Sequence, residues 1–413
     1  MMLARPLVRL AALASAALVP APLAAQSVFV VDADGGAAFT EIQDAIDAAV
    51  SGDVIVVREG TYREFTLAGK GLTIVADEYG KARVGVSRQI TTAVTGIAAG
   101  NRAVIRGIVF TSPLQTTGAS LHVADNAGVV WFESVSFDQL TPFHSHSQLE
   151  AVLVEDCAQV VIVGSALQGA SGSSLGGLEI GATGLTARDS MVLLHGCTVR
   201  AGYSIVLSGT GSPGLAVDGG ELVLRNCTVR GGVGGTGSPG GVGGDGGPGL
   251  TIEGNASVWA IGTSLIGGAG GPTVFGSPGA TGAGFEVTAG SLQQIPAGLA
   301  LFATDLVAGS GEDLEFELVG PPRSSAWLLV SLTSVPVFVP GLPGFLGTGL
   351  APAVVAVGST DSVGALSFTI PGSPLPPGLA TWDATVQMAI AAPGGVLELS
   401  NPSILTVVDD AVR

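Results

Sequence analysis

The chain has 413 residues and a formal net charge of −17 at pH 7, with 12% charged residues and 64 glycines. A surface of this sign repels the phosphates of nucleic acids and anionic lipid headgroups, so nucleic acid is not an expected partner. Polyuronates would be repelled too, unless a cation bridged them. The length exceeds that of a typical compact domain and suits an elongated repeat protein with an added module.

The N-terminal residues have the features of a secretory signal. Arg5 and Arg9 precede the apolar run AALASAALVPAPLAA, which ends in small residues. The two prolines in this run and its short apolar core argue against a membrane anchor. We therefore predict a signal peptide over residues 1–25, cleaved after Ala25, with no membrane span and a secreted or cell-surface location.

A short amphipathic helix is predicted next. Thr40 and Gln43 have the spacing of a capping box, and the helix has one apolar face. That face consists of Ile42, Ala45, Ile46, Ala49 and Val50. Because a solenoid exposes an apolar cross-section at its end, such a helix can cover it. Residues 26–71 are therefore predicted to form an N-terminal cap and the first coil.

Six copies of one pattern follow at intervals of 27 to 36 residues. In each copy a small or turn-forming pivot residue follows two alternating apolar residues, as Asn226 follows Leu222 and Leu224. The pivots are Gly107, Ser134, Gly164, Gly196, Asn226 and Gly262. Alternation with period two favours strands over helices, and Gly and Asn reach a left-handed backbone at little cost. The interval is that of a solenoid repeat.

A further apolar strand opens each coil, as at residues 215–217. Strands stacked in parallel at about 4.8 Å per coil would bond to the coils above and below. The prediction is an all-β fold with a parallel β-helix over residues 72–295.

The coils resemble those of the right-handed pectin-lyase-like family. That family often has an Asn-Thr-Ile run where this chain has Cys197-Thr198-Val199 and Cys227-Thr228-Val229. The resemblance implies a right-handed β-helix.

The start of the mature chain is similar to the N-terminal region of pectinesterases and of many other right-handed β-helix proteins. The similar runs are FTEIQDAIDAA, GDVIVV, GTYRE and LTIV, and Gly60, Tyr62 and Glu64 match an architectural Gly-x-Tyr-x-Glu element. The pectinesterase catalytic runs have no counterpart here, nor do the polygalacturonase Asn-Thr-Asp and Asp-Asp pairs. The resemblance therefore implies the fold and not esterase activity.

Three cysteines cannot all pair within the chain. Cys197 and Cys227 occupy the same slot in consecutive coils, where either a disulfide or two buried thiols would fit. Cys157 is predicted to be a lone buried thiol.

Glycine-rich segments follow the third strand of successive coils, at residues 209–214, 231–249 and 276–284. Because they fall at the same point of the repeat, we expect them side by side on one flank. Such segments are usually flexible, although stacked ones can pack in polyproline-like form. Phosphate binding is not predicted, because no Gly-Lys-Ser or Gly-Lys-Thr ending follows.

A row of carboxylates comes just after the first strand of each coil. Its members are Asp125, Glu155, Asp189, Asp218 and Glu253. Stacked carboxylates repel, so either their pKa values rise or they bind a hard cation such as Ca²⁺. Asp125, Glu155 and Asp189 are the candidate ligands, although no cofactor is required, since acidic residues are also common at solvated turns.

In β-helix lyases a cation of this kind acts with a basic residue that removes a proton. Arg200 and Arg230 are the main candidates for that role. Further candidates are Arg106, Arg188 and Arg225.

Histidines offer a second candidate site. His144 and His146 form a His-x-His pair that would need His122 to bind a metal, although loop histidines are more often incidental. His195 is expected to point outward, either as a proton carrier or as a surface residue. The aromatic residues Trp131, Trp259 and Tyr203 are too dispersed for a sugar-stacking platform.

Beyond the coils, residues 296–413 are predicted to form a small β-sandwich, because seven short strand candidates are separated by Pro and Gly clusters. The end of this region resembles a C-terminal module of secreted proteins from environmental bacteria, which implies no particular chemistry.

The sequence therefore predicts a secreted or cell-surface β-helix protein that binds glycan or is structural, without catalysis. Its partner would be a polysaccharide or a cell-surface component. Two alternatives stay open: a Ca²⁺-dependent polysaccharide lyase or a glycoside hydrolase acting through the carboxylate row, and a spacer whose terminal module makes the useful contact.

Overall fold

The computed structural model describes most of the chain after the predicted signal. The described residues are 26–85, 91–111, 117–138, 148–172, 181–205, 207–295, 301–304, 307–332, 336–338, 345–349, 351–376, 379–392 and 397–409. The predicted signal peptide and the pair His144 and His146 lie outside them. Within the described part of the chain, no helix has the length and apolar character needed to cross a membrane.

The described residues of the first part of the molecule form a stack of short strands with a single short helix near its start. In chain order the elements described there are β1 (Val28–Val31), α1 (Ile42–Ala48), β2 (Val54–Val57), β3 (Gly60–Tyr62), β4 (Thr66–Ala68), β5 (Thr73–Ala76), β6 (Ala82–Val84), β7 (Thr92–Thr95), β8 (Arg102–Arg106), β9 (Val109–Thr111), β10 (Thr117–Ala124), β11 (Val129–Glu133), β12 (Ser136–Asp138), β13 (Gln148–Glu155), β14 (Gln159–Val163), β15 (Ala166–Gln168), β16 (Leu185–Arg188), β17 (Met191–His195), β18 (Thr198–Arg200), β19 (Leu215–Asp218), β20 (Glu221–Arg225), β21 (Thr228–Arg230), β22 (Leu250–Glu253), β23 (Ser257–Ile261), β24 (Ser264–Ile266), β25 (Phe285–Val287) and β26 (Ser291–Ile295).

These strands form three parallel sheets. Sheet 1 has the order β1-β2-β5-β8-β11-β14-β17-β20-β23-β26, sheet 2 runs from β3 through every third strand to β24, and sheet 3 runs in the same way from β4 to β25. The chain visits the three sheets in rotation, so the strands from β2 to β25 make eight complete coils. The predicted parallel β-helix is confirmed.

The pivots form the corners between sheets 1 and 2. All six have a positive φ, from 49° at Asn226 to 69° at Gly107. Each pivot N–H donates to the next coil, as Gly196 donates to the carbonyl of Arg225 at 2.9 Å. The left-handed corner therefore turns one backbone donor along the stack, which explains why small residues and Asn recur there.

The core runs along the inside of the stack. The inward apolar pairs of successive coils are buried in one cluster, as Val192 and Leu194 are above Leu222 and Leu224. At the N-terminal end, Ile42, Ala45 and Ile46 of α1 belong to the same cluster.

The capping box predicted for α1 is wrong. The N-cap residue is Glu41, whose side chain makes no capping hydrogen bond. Gln43 instead accepts a hydrogen bond from the backbone N–H of Thr66 at 2.7 Å, which ties the helix to the first coil. Val50 lies beyond the helix end and is 66% exposed, so it does not belong to the buried face.

The glycine-rich segments are packed against one another. Hydrogen bonds recur every third residue, from Gly231 to Ile266 and from Gly234 to Ala269, both at 2.9 Å. Three residues is the repeat of the polyproline II helix. A Cβ at Gly268 would collide with the carbonyl oxygen of Gly232 in the neighbouring segment. Close backbone contact therefore explains the glycines, and the polyproline-like alternative fits better than flexible loops.

The second part of the molecule follows the solenoid. Its described strands are β27 (Leu301–Thr304), β28 (Val307–Gly309), β29 (Leu314–Val319), β30 (Ser325–Ser331), β31 (Val337–Phe338), β32 (Phe345–Leu346), β33 (Ala353–Ser359), β34 (Ala365–Ile370), β35 (Thr381–Ala391) and β36 (Leu397–Val408). A three-stranded sheet (β27-β29-β34) and a five-stranded sheet (β28-β36-β35-β30-β33) share one core, to which Phe316 and Met388 belong.

This C-terminal part packs along the side of the solenoid, against the outer face of sheet 1. Phe345 and Ile404 are buried in one apolar cluster with Trp131, Leu193 and Val223 of the solenoid. The outer face of sheet 1 is therefore an internal interface.

The three cysteines are free, buried thiols. Burial raises the pKa of Cys197, whose Sγ donates to the carbonyl of Ile162 at 3.3 Å. Of the two arrangements considered for Cys197 and Cys227, the structure contains the buried thiols.

Candidate functional site

The predicted carboxylate row is divided between two positions of the coil. Glu155, Asp218 and Glu253 end their strands in one register, but Arg188 occupies that register between Glu155 and Asp218. Asp125 and Asp189 lie one residue later, at corners with φ of 56° and 44°. A left-handed corner is a conformation that Asp tolerates better than most residues. An unbroken acidic row is therefore absent among these five residues.

Three side chains on the outer face of sheet 3 form a hydrogen-bonded chain. Glu155 accepts from Arg188 Nη1 at 2.7 Å and contacts His122 Nε2 at 2.9 Å. They come from three consecutive coils, on β10, β13 and β16, and each is partly exposed: 35% for His122, 28% for Glu155 and 49% for Arg188. The strand register places Arg188 directly beside Glu155, whereas His122 lies beside Leu153 and reaches Glu155 diagonally.

Glu150 lies on the same strand as Glu155 and adds a second carboxylate. Its Oε1 accepts from the hydroxyl of Thr186 at 2.9 Å, while its Oε2 is buried without a hydrogen-bond partner among the described residues. We call Glu150, His122, Glu155, Thr186 and Arg188 the polar cluster.

The two carboxyl groups of the polar cluster have opposite electrostatic environments. Burial raises the pKa of Glu150. The hydrogen bond from Arg188, assisted by His122, lowers the pKa of Glu155. The same bond raises the pKa of Arg188. One carboxyl is thus biased towards its protonated form and the other towards its ionised form.

No protein-family model and no curated protein matches this chain. The proposed function therefore rests on the geometry of the described residues.

Three side chains considered for proton transfer are buried beneath the C-terminal part. Arg106 pairs with Glu133 at 3.3 Å, and Arg225 Nη2 donates to the carbonyl of Leu399 at 2.8 Å. His195 points outward from the solenoid as predicted, but it is fully buried and lies edge-on to Phe345 at 6.2 Å between ring centroids. The surface-residue alternative is therefore wrong, because the C-terminal part packs over this position, a contact that was not predicted from the sequence.

Arg200 and Arg230 are exposed at neighbouring positions of sheet 2, where the glycine-rich segments begin. The carboxylates follow sheet 3 instead. Among the described residues, neither arginine forms an ion pair, so the structure does not bring them to the acidic groups.

A preformed metal site is also not evident. Within the described ranges, no group of three or more His, Cys, Asp or Glu side chains is placed to hold a metal ion. Calcium binding by Asp125, Glu155 and Asp189 stays a prediction.

A cleft of about 340 Å³ lies where the two parts of the molecule meet. Asp383 Oδ2 accepts from the Thr73 hydroxyl at 2.9 Å and lies 3.9 Å from Arg102 Nη2. Arg102 also reaches Thr385 at 3.4 Å. These contacts join the C-terminal part to the solenoid, so the charged groups of this cleft have a structural role.

Sequence reasoning missed Glu150 and considered His122 only beside the loop histidines. The strand register and the length of β13 explain this. Asp189 lies one residue beyond the position that pairs with Glu155, and the register of β16 with β13 places Arg188 beside Glu155 instead. Glu150 lies early in β13, ahead of the apolar residues 152–154 that mark this strand in the sequence.

Proposed function

We propose that this chain is a secreted, non-catalytic protein that binds a polysaccharide through the polar cluster on the outer face of sheet 3. The carrying observation is the hydrogen-bonded chain of His122, Glu155 and Arg188 across three coils. Sugar hydroxyl groups both donate and accept hydrogen bonds, and carboxylate, imidazole and guanidinium groups provide both functions. Because the hydrogen bonds among His122, Glu155 and Arg188 hold these side chains in place before binding, less side-chain entropy is lost on association.

Charge favours a neutral polysaccharide over a polyuronate. The chain has a net charge of −17, and the guanidinium of Arg188 is already paired with Glu155. An anionic polymer would meet a repulsive surface with no unshared positive partner in the cluster. An extended neutral chain can instead follow the coils, whose outward side chains repeat along the solenoid.

The carbohydrate class also rests on the fold. The right-handed sense of the coil, the role of α1 as a cap, the sandwich form of the C-terminal part and export by residues 1–25 belong to the same proposal. They are supported by the sequence resemblance and by analogy with proteins of this fold.

The test compares variants that each remove one charged group from the surface. Glu155→Gln and Arg188→Met are measured by affinity electrophoresis against neutral and uronate polysaccharides. The matched control for Glu155→Gln is Glu253→Gln, three coils away in the same register. We expect both cluster variants to weaken binding at least ~10-fold, since hydrogen bonds to charged groups contribute about 1.5–3 kcal/mol, while the control binds like the parent. Equal binding by all variants, or no binding by folded parent protein, would refute the proposal.

The second candidate function is glycoside hydrolysis at the same cluster. It is favoured by the opposite pKa directions of Glu150 and Glu155, the pattern expected of a general acid paired with an ionised carboxylate. Release of reducing ends that Glu150→Gln abolishes while binding persists would support hydrolysis. An ultraviolet-absorbing unsaturated product that a chelator abolishes would instead indicate the calcium-dependent lyase.

A further inference from the structure

The two ends of the solenoid differ in how the core is closed. At the N-terminal end, the buried side chains of α1 lie against the core beside β1 and β2. At the other end, β24, β25 and β26 are each the last strand of their sheet. Each therefore has one edge without a neighbouring strand among the described residues.

The apolar core continues to this open end. Phe285 and Val287 occupy the inward positions that Leu250 and Ile252 fill one coil earlier. Leu250 and Ile252 are fully buried, whereas Phe285 and Val287 are 44% and 43% exposed. Phe275, directly before the glycine-rich segment of the last coil, is 93% exposed.

Two backbone N–H groups of the last coil also lack, among the described residues, the acceptors that their counterparts have in the preceding coil. In the preceding coil, Gly231 and Gly234 donate to the carbonyls of Ile266 and Ala269. The corresponding donors of the last coil, Gly267 and Gly270, have no backbone acceptor among the described residues. Unpaired strand edges beside exposed apolar side chains are a template for association.

We propose that this end is the contact surface of a symmetric dimer in which the last coils of two copies meet tail to tail. Glu286 is the single charged residue between positions 257 and 295, in a chain with a net charge of −17. Two copies can therefore approach here without the repulsion that opposes contact elsewhere. The N-terminal end is not available for such a contact, because α1 already covers its core. A two-fold axis would place the same surface of each copy against the other and would bring the strand edges together antiparallel.

Sedimentation equilibrium of the full chain tests the dimer. The disrupting variant is Val287→Lys, which places a charge at the open end. The matched control is Val50→Lys, another exposed valine, at the covered end. We expect a concentration-dependent dimer that Val287→Lys weakens at least ~10-fold and Val50→Lys leaves unchanged.

Both substitutions are at exposed positions, and melting temperatures check that the variants fold. Should Val287→Lys fail to fold, Phe285→Gln replaces it, and electron microscopy of the parent provides a second measurement: rods of doubled length. A parent that is monomeric at all concentrations would overturn the proposal, as would equal weakening by the two lysine variants.

Discussion

The outer faces of sheet 1 and sheet 3 are built on the same coils but differ in what covers them. On sheet 1, the outward column through Trp131, Leu193 and Val223 is apolar and lies beneath the C-terminal part. On sheet 3, the outward positions include His122, Glu155 and Arg188, which are partly exposed. In a solenoid the inward side chains are apolar in every sheet, so the outward side chains decide which face is solvated and which is an interface.

Buried charge distinguishes the two faces further. Glu133, on sheet 1, accepts from Arg106 Nη2 and Trp131 Nε1 at 3.3 Å each, from the backbone N–H of Ile404 at 2.9 Å and from the hydroxyl of Ser403. The pairs on sheet 3 keep contact with water. Charged residues therefore form buried contacts between the solenoid and the C-terminal part on sheet 1, whereas on sheet 3 they remain accessible to a ligand.

Removing the covering domain should have the largest effect. A chain ending at Ile295 would expose the apolar column of sheet 1, so we expect it to aggregate. The soluble fraction and light scattering measure this. The control is the same truncation with Trp131, Leu193 and Val223 each changed to Thr, which should restore solubility. A soluble, monodisperse truncated chain without these changes would contradict the interpretation of sheet 1 as an interface.

Glu133→Ala should be the most destabilising of the single substitutions considered. It removes the carboxylate that faces a fully buried guanidinium, and breaking a buried ion pair typically costs about 3–5 kcal/mol. The free energy of unfolding in urea measures the loss. The control Glu253→Ala, at an exposed position, should change it by less than ~0.5 kcal/mol. Equal losses of unfolding free energy in the two variants would show that burial of Glu133 on sheet 1 does not determine its contribution to stability.

Arg225→Met should have a smaller effect of the opposite sign. Burial lowers the pKa of Arg225 to about 10, and its Nε and Nη1 have no hydrogen-bond partner among the described residues. A methionine of similar length removes this burial cost but loses one bond to the carbonyl of Leu399 and the attraction of the buried Glu398, so we expect a stabilisation of at most about 1 kcal/mol. Urea unfolding checks the sign, and a loss above ~2 kcal/mol would show that the Leu399 contact dominates.

The sequence was sufficient to predict the coils because their corners and inward residues repeat. Gly164, Gly196 and Asn226 mark the same corner, and their positive φ values are a local backbone property that residue type reveals. The helix face was predicted by its period, but its cap was not, because Gln43 bonds to Thr66 in the first coil. That contact depends on how two elements pack.

The candidate site was harder to predict for the same reason. Neighbours on a solenoid face depend on register, and a shift of one residue exchanges Arg188 for Asp189 beside Glu155. The burial of His195 depends on a domain more than a hundred residues away in the chain. An apolar outward column, with Trp131, Leu193 and Val223 at matching positions, was the signal in the sequence for that domain contact.

The smallest effects are expected on sheet 3, where Glu150 and Glu155 should show opposite pH dependence. The lowered pKa of Glu155 means that its pairing contributes stability above the usual carboxyl value of 4.5, and that this contribution is lost as the pH falls through the lowered pKa. Glu155→Gln should therefore cost less than ~1 kcal/mol at pH 7, and the difference from the parent should vanish in acid.

The raised pKa of Glu150 has the opposite consequence. Its carboxyl is favoured in the protonated form, so the folded state loses stability as the pH rises above 4.5 and the group is forced to ionise. Glu150→Gln should be neutral in acid and stabilising at neutral pH, since an amide oxygen can still accept from Thr186. Unfolding free energies of both variants across this pH range measure the two slopes. Slopes of the same sign would mean that the two carboxyls share one environment, and the hydrolytic alternative would then lose its main support.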